Sequence, residues 1–443
     1  MKKFELGASN IYFIGIGGVS MSGLAHILQS MDYNISGSDK QKSVHTQNLE
    51  SIGIQINYAQ IRENINNNID LIIYTAAIKD DNPEYMAAVS KNIPIMSRAQ
   101  LLGKLISYYK YSICIAGTHG KTTTTSMVAH LLIQNGLNPT ISVGATFPLI
   151  GGNFKLGNSE YFVVESCEYN DSFLEFKPYI GVILNIEYDH PDHFKDITQL
   201  EQSFSIFANN VLGYLIVNKG IKNYKNIIKN TKATVITFGE NEGDFTFKPI
   251  SNNSFNLNGS LDISLPIFGK HNMENASAAL CIANTLSLKF NKNSFELYEN
   301  PKRRLEFKGT TPNGAIVMDD YAHHPTEIKS TLLSIKKQYP NREIICVFQP
   351  HTYSRTIGLL QEFAVSFTDA DTLILLDIYG ARETSGKIHT KDLMSLITST
   401  LCLYFDSFEK VENYLIENLK INSLLITMGA TNVNLIGEKV LSN

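Results

Sequence analysis

The sequence predicts an α/β protein of three domains, each built on a mostly parallel sheet with helices packed against it. At 443 residues the chain is too long for one core, and roughly 150 residues per domain gives about three. Short apolar, β-branched runs alternate with helix-period segments along most of its length, the pattern of strand–helix–strand units. Polar, glycine-containing turns fall where those strands end, the edge at which parallel sheets collect ligands.

The first block opens with the strand "NIYFIGIGG" and the helix "SMSGLAHILQSM", continues through "YNISGSD" and "DLIIYTAAI", and ends near the helix "RAQLLGKLI". The second starts at "YSICIAG", carries strands at "YFVVES", "YIGVILNI" and "GYLIVN", a polar hairpin region from "DFTFKP" to "DISLPIFG", and the helix "NMENASAALCIANTLSL". The third follows "NPKRRLEFKG" with strands "AIVMDD", "EIICVFQP", "TLILLDI" and "SLLITMG". These blocks place the domains at residues 1–107, 108–300 and 301–443.

Composition narrows the function. A chain that is 43% hydrophobic and 18% charged has the makeup of a packed globular protein. Its formal net charge of −4 leaves no basic field for nucleic acid or anionic lipid. The start, "MKKFELGASN", lacks a signal-peptide core, and no run reaches the roughly 18 apolar residues of a membrane span. The five cysteines show no CxxC spacing and read as reduced core thiols of a cytoplasmic protein.

The most informative stretch is "GTHGKTTTT" after the strand "YSICIA". Gly117 and Gly120 let the backbone turn with its N–H groups inward, a nest for phosphate oxygens at a helix start around Thr118. Lys121 then reaches the terminal phosphates, and a hydroxyl of Thr122 or Thr123 can hold Mg²⁺. The eight-residue Walker spacing is not met, because Ile115 stands where its first glycine would fall. Four threonines are poor helix formers, so propensity alone does not explain them. The earlier turn "GIGGVSMSG" resembles a dinucleotide fingerprint through Gly15, Gly17 and Gly18. Ser20 occupies the third glycine position, Met21 follows it, and Asp39 lies about twenty residues on. Alone it marks a diphosphate site or an ordinary strand–helix turn.

Glu165, Glu168 and Asp171 follow one strand of the second block, and Asn185, Asp189, His190, Asp192 and His193 follow another. Carboxylate and imidazole beside a triphosphate suit Mg²⁺ or Mn²⁺. Neither spacing nor cysteine favours zinc, and Glu168 and Asp171 read as solvated loop acids. His271, Asn272 and Asn275 open a helix as an adenine frame or as ordinary caps. Arg303 and Arg304 are a solvated pair or a phosphate clamp. Asp319, Asp320, Tyr321, His323 and His324 crowd one strand end, and His351 and Arg355 the next, where a guanidinium is placed to take a carboxylate bidentately.

Taken together, "GIGGVSMSG", "GTHGKTTTT", "ILNIEYDHPD", "FGKHNMENA", "DDYAHHPTEI" and "FQPHTYSRT" resemble the Mur ligases, in the right order over the whole chain. The resemblance implies a Rossmann-like N-terminal domain for a UDP-sugar, a central P-loop-type ATPase α/β domain for ATP and metal, and a Rossmann-like C-terminal domain that closes over both with the amino acid. It implies an ATP-dependent ligase of peptidoglycan synthesis, joining L-alanine to the lactyl carboxylate of UDP-N-acetylmuramate through an acyl phosphate, as a monomer or homodimer. By resemblance, Gly15, Gly17, Gly18, Ser20, Met21 and Asp39 hold the UDP-sugar. Lys121 meets the γ-phosphate within a loop of Gly117, Thr118 and Gly120, while Thr122 or Thr123, Glu165 and His190 hold Mg²⁺ or Mn²⁺. His271, Asn272 and Asn275 frame adenine, Arg304 meets ATP phosphates, Asp320 lies near the ribose, and His351 and Arg355 meet the amino acid. The alternatives are a relative that reattaches a recycled tripeptide to the same UDP-sugar and, in another class, an NAD-dependent oxidoreductase. One departure is "MGATNVN", where Thr431 and Asn432 stand in place of the family's glycine and acid.

Overall fold

The computed structural model describes residues 4–381, 383 and 387–442. Three sheets succeed one another along the chain. The first has five parallel strands in the order Gln55–Asn57, Asn34–Ser38, Asn10–Ile14, Leu71–Tyr74, Ile95–Ser97. Its order reverses at the central strand, and the glycine turn Gly15–Gly18 sits at that strand's carboxyl end. Ser97 then starts the helix Arg98–Tyr108 with a reciprocal cap, its side chain accepting from Gln100 N while Gln100 answers Ser97 N. The apolar face of this helix (Leu101, Leu102, Leu105, Ile106) joins a core that runs from Phe13 and Leu24 of the first sheet to Phe204 and Phe207 of the second.

Gly103 is where that helix touches the central domain. A Cβ there would lie 2.3 Å from the Glu175 carbonyl oxygen, and a backbone atom cannot swing aside. Gly103→Ala is expected to destabilise the protein by about 1–3 kcal/mol or more, read as a lower midpoint in chemical denaturation.

The second sheet has ten strands. Its centre is Tyr111–Ala116, flanked by Tyr161–Glu165 on one side and Ile180–Ile183 on the other, all parallel. The predicted hairpin region forms Phe245–Pro249, Ser254–Leu257 and Leu261–Ser264, antiparallel at one edge. The opposite edge, Thr140–Phe147 with Gly152–Lys155, was not expected from the sequence, because "GATF" and "GNFK" carry little apolar alternation. Helices Lys121–Gln134 and Lys270–Thr285 cover one face through Met127, Leu131, Ala276 and Leu280.

The third sheet has six strands, parallel except Glu306–Thr310, which pairs antiparallel with Ile316–Asp320. Helix Pro325–Gln338 buries Ile328, Leu332 and Ile335 on one face. Helices Phe408–Asn418 and Asn434–Leu441 bury Val411, Leu415, Ile436 and Val440 on the other. Two covered faces explain why these strands read as unbroken apolar runs. All five cysteines are free. Among the described residues no helix is long and apolar enough to cross a membrane.

Candidate active site

The phosphate loop leaves the central strand Tyr111–Ala116 and enters helix Lys121–Gln134. Gly120 has φ +79°, and a Cβ on it would meet Asn275 Oδ1 at 2.3 Å, so both backbone and neighbour require glycine. Part of the expected nest is used internally. The amides of Thr118 and His119 donate to Asn185 O (3.2 Å) and Asn185 Oδ1 (2.7 Å), and Thr118 Oγ1 exchanges bonds with the Glu187 backbone. The loop is thereby fastened to the strand-end segment Asn185–Glu187. The first-turn amides of the helix are the donors left for an anion.

Neighbouring strand ends supply the acids. Thr122 Oγ1 donates to Glu165 Oε2 at 2.8 Å, and the same oxygen accepts from Gly144 N. These oxygens are a donor set that fits Mg²⁺ or Mn²⁺, and of the two candidate hydroxyls it is that of Thr122 that lies against Glu165. Thr123 lines the adjoining cleft instead. Glu168 is not a solvated acid: its side chain is 1% exposed and pairs with Lys121 Nζ at 2.9 Å. Lys121 also donates to the Gly117 and Thr118 carbonyls. Burial pulls its pKa down, but Glu168 in particular overrides this and holds it charged. Asp171 likewise is engaged, accepting from His193 Nε2 at 2.9 Å and from Ser203.

A cleft of about 460 Å³ opens between the second and third sheets, a volume suited to a nucleotide. His271, Asn272 and Asn275 line it together, and Asn272 Nδ2 bonds Phe268 O. Burial lowers the pKa of His271 to about 4, keeping its ring neutral. Arg304 enters from the third block and donates to Thr122 Oγ1 at 2.9 Å, its Nε buried without a partner. Arg303 is a structural clamp, pairing with Asp319 and donating to the carbonyls of Gly429 and Thr431, so the departing "GATN" turn is held by its backbone.

Asp320 also lines the cleft, held by Thr331 Oγ1 at 2.9 Å. Burial, opposed by Arg304, pushes its pKa from 3.8 to about 7. A carboxyl raised in the fold stabilises it fully below its unfolded pKa and loses that contribution as pH rises through the folded one. Asp320→Asn should therefore gain stability relative to wild type between pH 5 and 8, by roughly 2–4 kcal/mol, seen by comparing denaturant midpoints at both pH values.

The C-terminal domain reaches the phosphate loop through several side chains. Arg355 Nε donates to Asp189 Oδ1 at 2.7 Å and Nη2 to Oδ2 at 3.3 Å, a pair only 6% exposed on each side. Arg355 Nη1 lies 3.2 Å from His351 Nδ1. The guanidinium expected to take a substrate carboxylate thus already has one edge on Asp189, and its Nη1 is shared between the ring and the carbonyl of His351, so a substrate carboxylate has to displace the His351 contacts. Burial lowers the pKa of His351 to about 4, and lowers that of His190 against the pull of Asp189, so both imidazoles are neutral near pH 7. His119 Nδ1 meets Glu327 Oε1 at 3.2 Å and its Nε2 faces Glu187 at 3.4 Å. Burial opposes its charge, yet the two carboxylates raise its pKa to about 9. Glu187, Glu327, Thr326 and His119 all belong to the cleft or its rim and were missed as site residues. The signal was present, since each lies inside a quoted motif, but nothing local separates them from loop polar residues.

In the N-terminal domain Gly15 has φ +82° and Gly18 caps helix Val19–Ser30. Asp39 does not present a free carboxylate: its Oδ2 accepts from Gly17 N at 2.8 Å and braces the turn. The Met21 side chain is buried in the core, so it is not free to touch a ligand as the motif reading expects. Ser20 accepts from Arg98 Nη1 at 3.2 Å, which places beside the turn a cation that the motif reading passed over.

Comparison with known proteins follows the same three units. Residues 10–110 match the Mur ligase family catalytic domain, 115–283 the Mur ligase middle domain, and 303–431 the Mur ligase glutamate ligase domain. A UDP-N-acetylmuramate–L-alanine ligase of Clostridium tetani is 45% identical over 446 residues, covering 97% of each chain. One from Agathobacter rectalis is 45% identical over 450 residues, covering 98% of this chain and 97% of its own. Among solved structures, the UDP-N-acetylmuramate–alanine ligase of Thermotoga maritima superposes with a TM-score of 0.81 at 26% identity, covering 98% of both chains.

Proposed function

The chain belongs to the Mur ligase family, and from that premise we propose that it is the enzyme joining L-alanine to the lactyl carboxylate of UDP-N-acetylmuramate at the expense of ATP, in peptidoglycan precursor synthesis. Beyond full-length likeness to alanine ligases, one observation supports the reading most. Arg355 and His351 of the C-terminal domain meet Asp189 and His190 beside the phosphate loop, so a carboxylate-binding guanidinium stands next to the place where a triphosphate ends.

Residues 1–107 would hold the sugar nucleotide at the Gly15–Gly18 turn, 108–300 ATP, and 301–443 the amino acid. Lys121 exchanges its internal carbonyl and Glu168 contacts for the γ-phosphate and, with Arg304, neutralises charge as the phosphoryl group moves to the sugar carboxylate. Thr122, Glu165 and His190 would hold Mg²⁺ or Mn²⁺, which supplies charge neutralisation at the phosphates when bound. The acyl phosphate is then attacked by the alanine amine: the C–N bond forms, the C–O bond to phosphate breaks, and the ammonium gives up a proton. With His190 committed to the metal, the neutral ring of His351 is the candidate base for it. The C-terminal domain excludes the water that would hydrolyse the intermediate. A requirement for ATP and a sugar nucleotide supports a cytoplasmic enzyme.

Phosphate release measured with UDP-N-acetylmuramate, ATP and each amino acid in turn, plus the tripeptide, tests the assignment. Turnover is expected with L-alanine; turnover with the tripeptide alone would move the chain to the recycling reaction.

A further inference from the structure

The Glu187 carboxylate faces two imidazoles that approach from opposite sides of the domain seam. His119 belongs to the phosphate loop, and its Nε2 lies 3.4 Å from Glu187 Oε2. His324 precedes helix Pro325–Gln338 of the C-terminal domain, and its Nδ1 lies 3.9 Å from the same oxygen. The three ligand atoms lie within 4.8 Å of one another.

The hydrogen bonds on the far sides of the rings matter as much as these distances. His324 Nε2 lies 3.2 Å from the Tyr188 carbonyl, which requires an N–H there and leaves the Nδ1 lone pair facing Glu187. That lone pair now caps the helix, accepting from Thr326 N at 3.3 Å, a long bond that an ion would replace. His119 Nδ1 is anchored by Glu327 Oε1 at 3.2 Å, while its Nε2 is buried and faces Glu187 Oε2 across 3.4 Å, so that an ion there takes the place of the Nε2 proton. Imidazoles that ligate metals are held in this way, with one nitrogen bonded to a carboxylate or carbonyl and the other aimed at the ion. Two carboxylates around His119, Glu327 largely buried and Glu187 partly exposed, also provide the negative surroundings that a cation needs. A four-coordinate ion with ligand bonds of about 2.0–2.2 Å sets its ligands roughly 3.3–3.6 Å apart, so the trio needs to contract only modestly.

We propose that His119, Glu187 and His324 form a site for a borderline divalent cation of the Zn²⁺ class, distinct from the Thr122–Glu165 oxygen pair. The two-imidazole, one-carboxylate set suits Zn²⁺ over Mg²⁺. Its fourth position faces the nucleotide cleft, which His119 and Glu187 line. An ion here links the central domain to the C-terminal domain and holds the seam closed.

The test uses tag-free, chelator-treated full-length protein titrated with Co²⁺ in the absence of nucleotide. Wild type is expected to bind one equivalent with the intense visible absorption of a four-coordinate ion, which Zn²⁺ then displaces. Glu187→Gln and His324→Asn should abolish that absorption, and Glu327→Gln, which loosens His119, should weaken binding roughly 10–100-fold. Glu165→Gln should leave it unchanged. Circular dichroism identifies any variant that fails to fold, and Glu187→Gln, nearly isosteric, retains an acceptor for the Thr326 hydroxyl, which donates to Glu187 Oε2 in the wild type. The proposal is overturned if folded wild type gives no such absorption, or if the signal survives in both Glu187→Gln and His324→Asn, or if Glu165→Gln removes it. The seam is then an ion pair of His119 with two glutamates and nothing more.

Discussion

Lys121→Ala is expected to lower kcat for phosphate release by about 10³-fold or more while leaving UDP-N-acetylmuramate affinity within about twofold. Removing a single preorganised charge-stabilising donor costs roughly 10²–10³-fold, and this lysine issues from the phosphate loop itself, at the first residue of its helix. Its present partners show what ATP must displace. The ammonium is folded onto two loop carbonyls and Glu168, so the free enzyme keeps its charge satisfied until phosphate oxygens replace those contacts. Alanine also leaves Glu168 buried and unpaired, which costs about 3–5 kcal/mol in comparable buried pairs. The double variant Lys121→Ala with Glu168→Gln should recover much of that stability and none of the activity. Sugar-nucleotide affinity, measured by calorimetry, separates the two glycine turns: a large loss on Lys121→Ala would mean that their assignments are exchanged.

The second large effect belongs to Arg355. Its replacement by alanine should raise KM for L-alanine roughly 10–150-fold, the equivalent of one or two charge-assisted hydrogen bonds, with KM for ATP little changed. The same change strands Asp189, whose carboxyl Arg355 holds far below its usual range against the cost of burial, and should destabilise the protein by about 3–5 kcal/mol. Because that carboxyl is depressed, the pair's contribution is complete above the ordinary Asp pKa of 3.8 and disappears as pH falls below it. Combining Arg355→Ala with Asp189→Asn should restore stability without restoring KM. If KM recovers together with stability, Arg355 is a latch between domains and does not touch the amino acid.

Much of the architecture was legible because its signals are local. A strand covered on both faces is an unbroken apolar run, a phosphate turn needs glycine where φ is positive, and ligand-bearing acids collect at strand ends. "YSICIAG", "ILNIEYDH" and "VMDDYAHH" carry these signs within a dozen residues each. Edge strands such as Gly152–Lys155 and Leu401–Tyr404 were less legible, since an edge lacks the double covering that makes an apolar run.

Within the site, residue types were readable and partnerships were not. "VVESCEYND" declares acids near a phosphate loop, but only folding buries Glu168 against Lys121 and turns Asp171 toward His193. Asp39 stands at the expected distance from the glycine turn, yet braces it where a free acid was expected.

From the chain alone came the three parallel-sheet units, the two glycine turns and the kinds of side chain at each strand end, all set by steric and solvation rules acting over a few residues. Arg355 on Asp189, Arg304 on Thr122 and the meeting of His119, Glu187 and His324 came only with the packed molecule. These contacts join segments far apart in sequence across a domain seam, and their strength depends on burial, which no local pattern encodes.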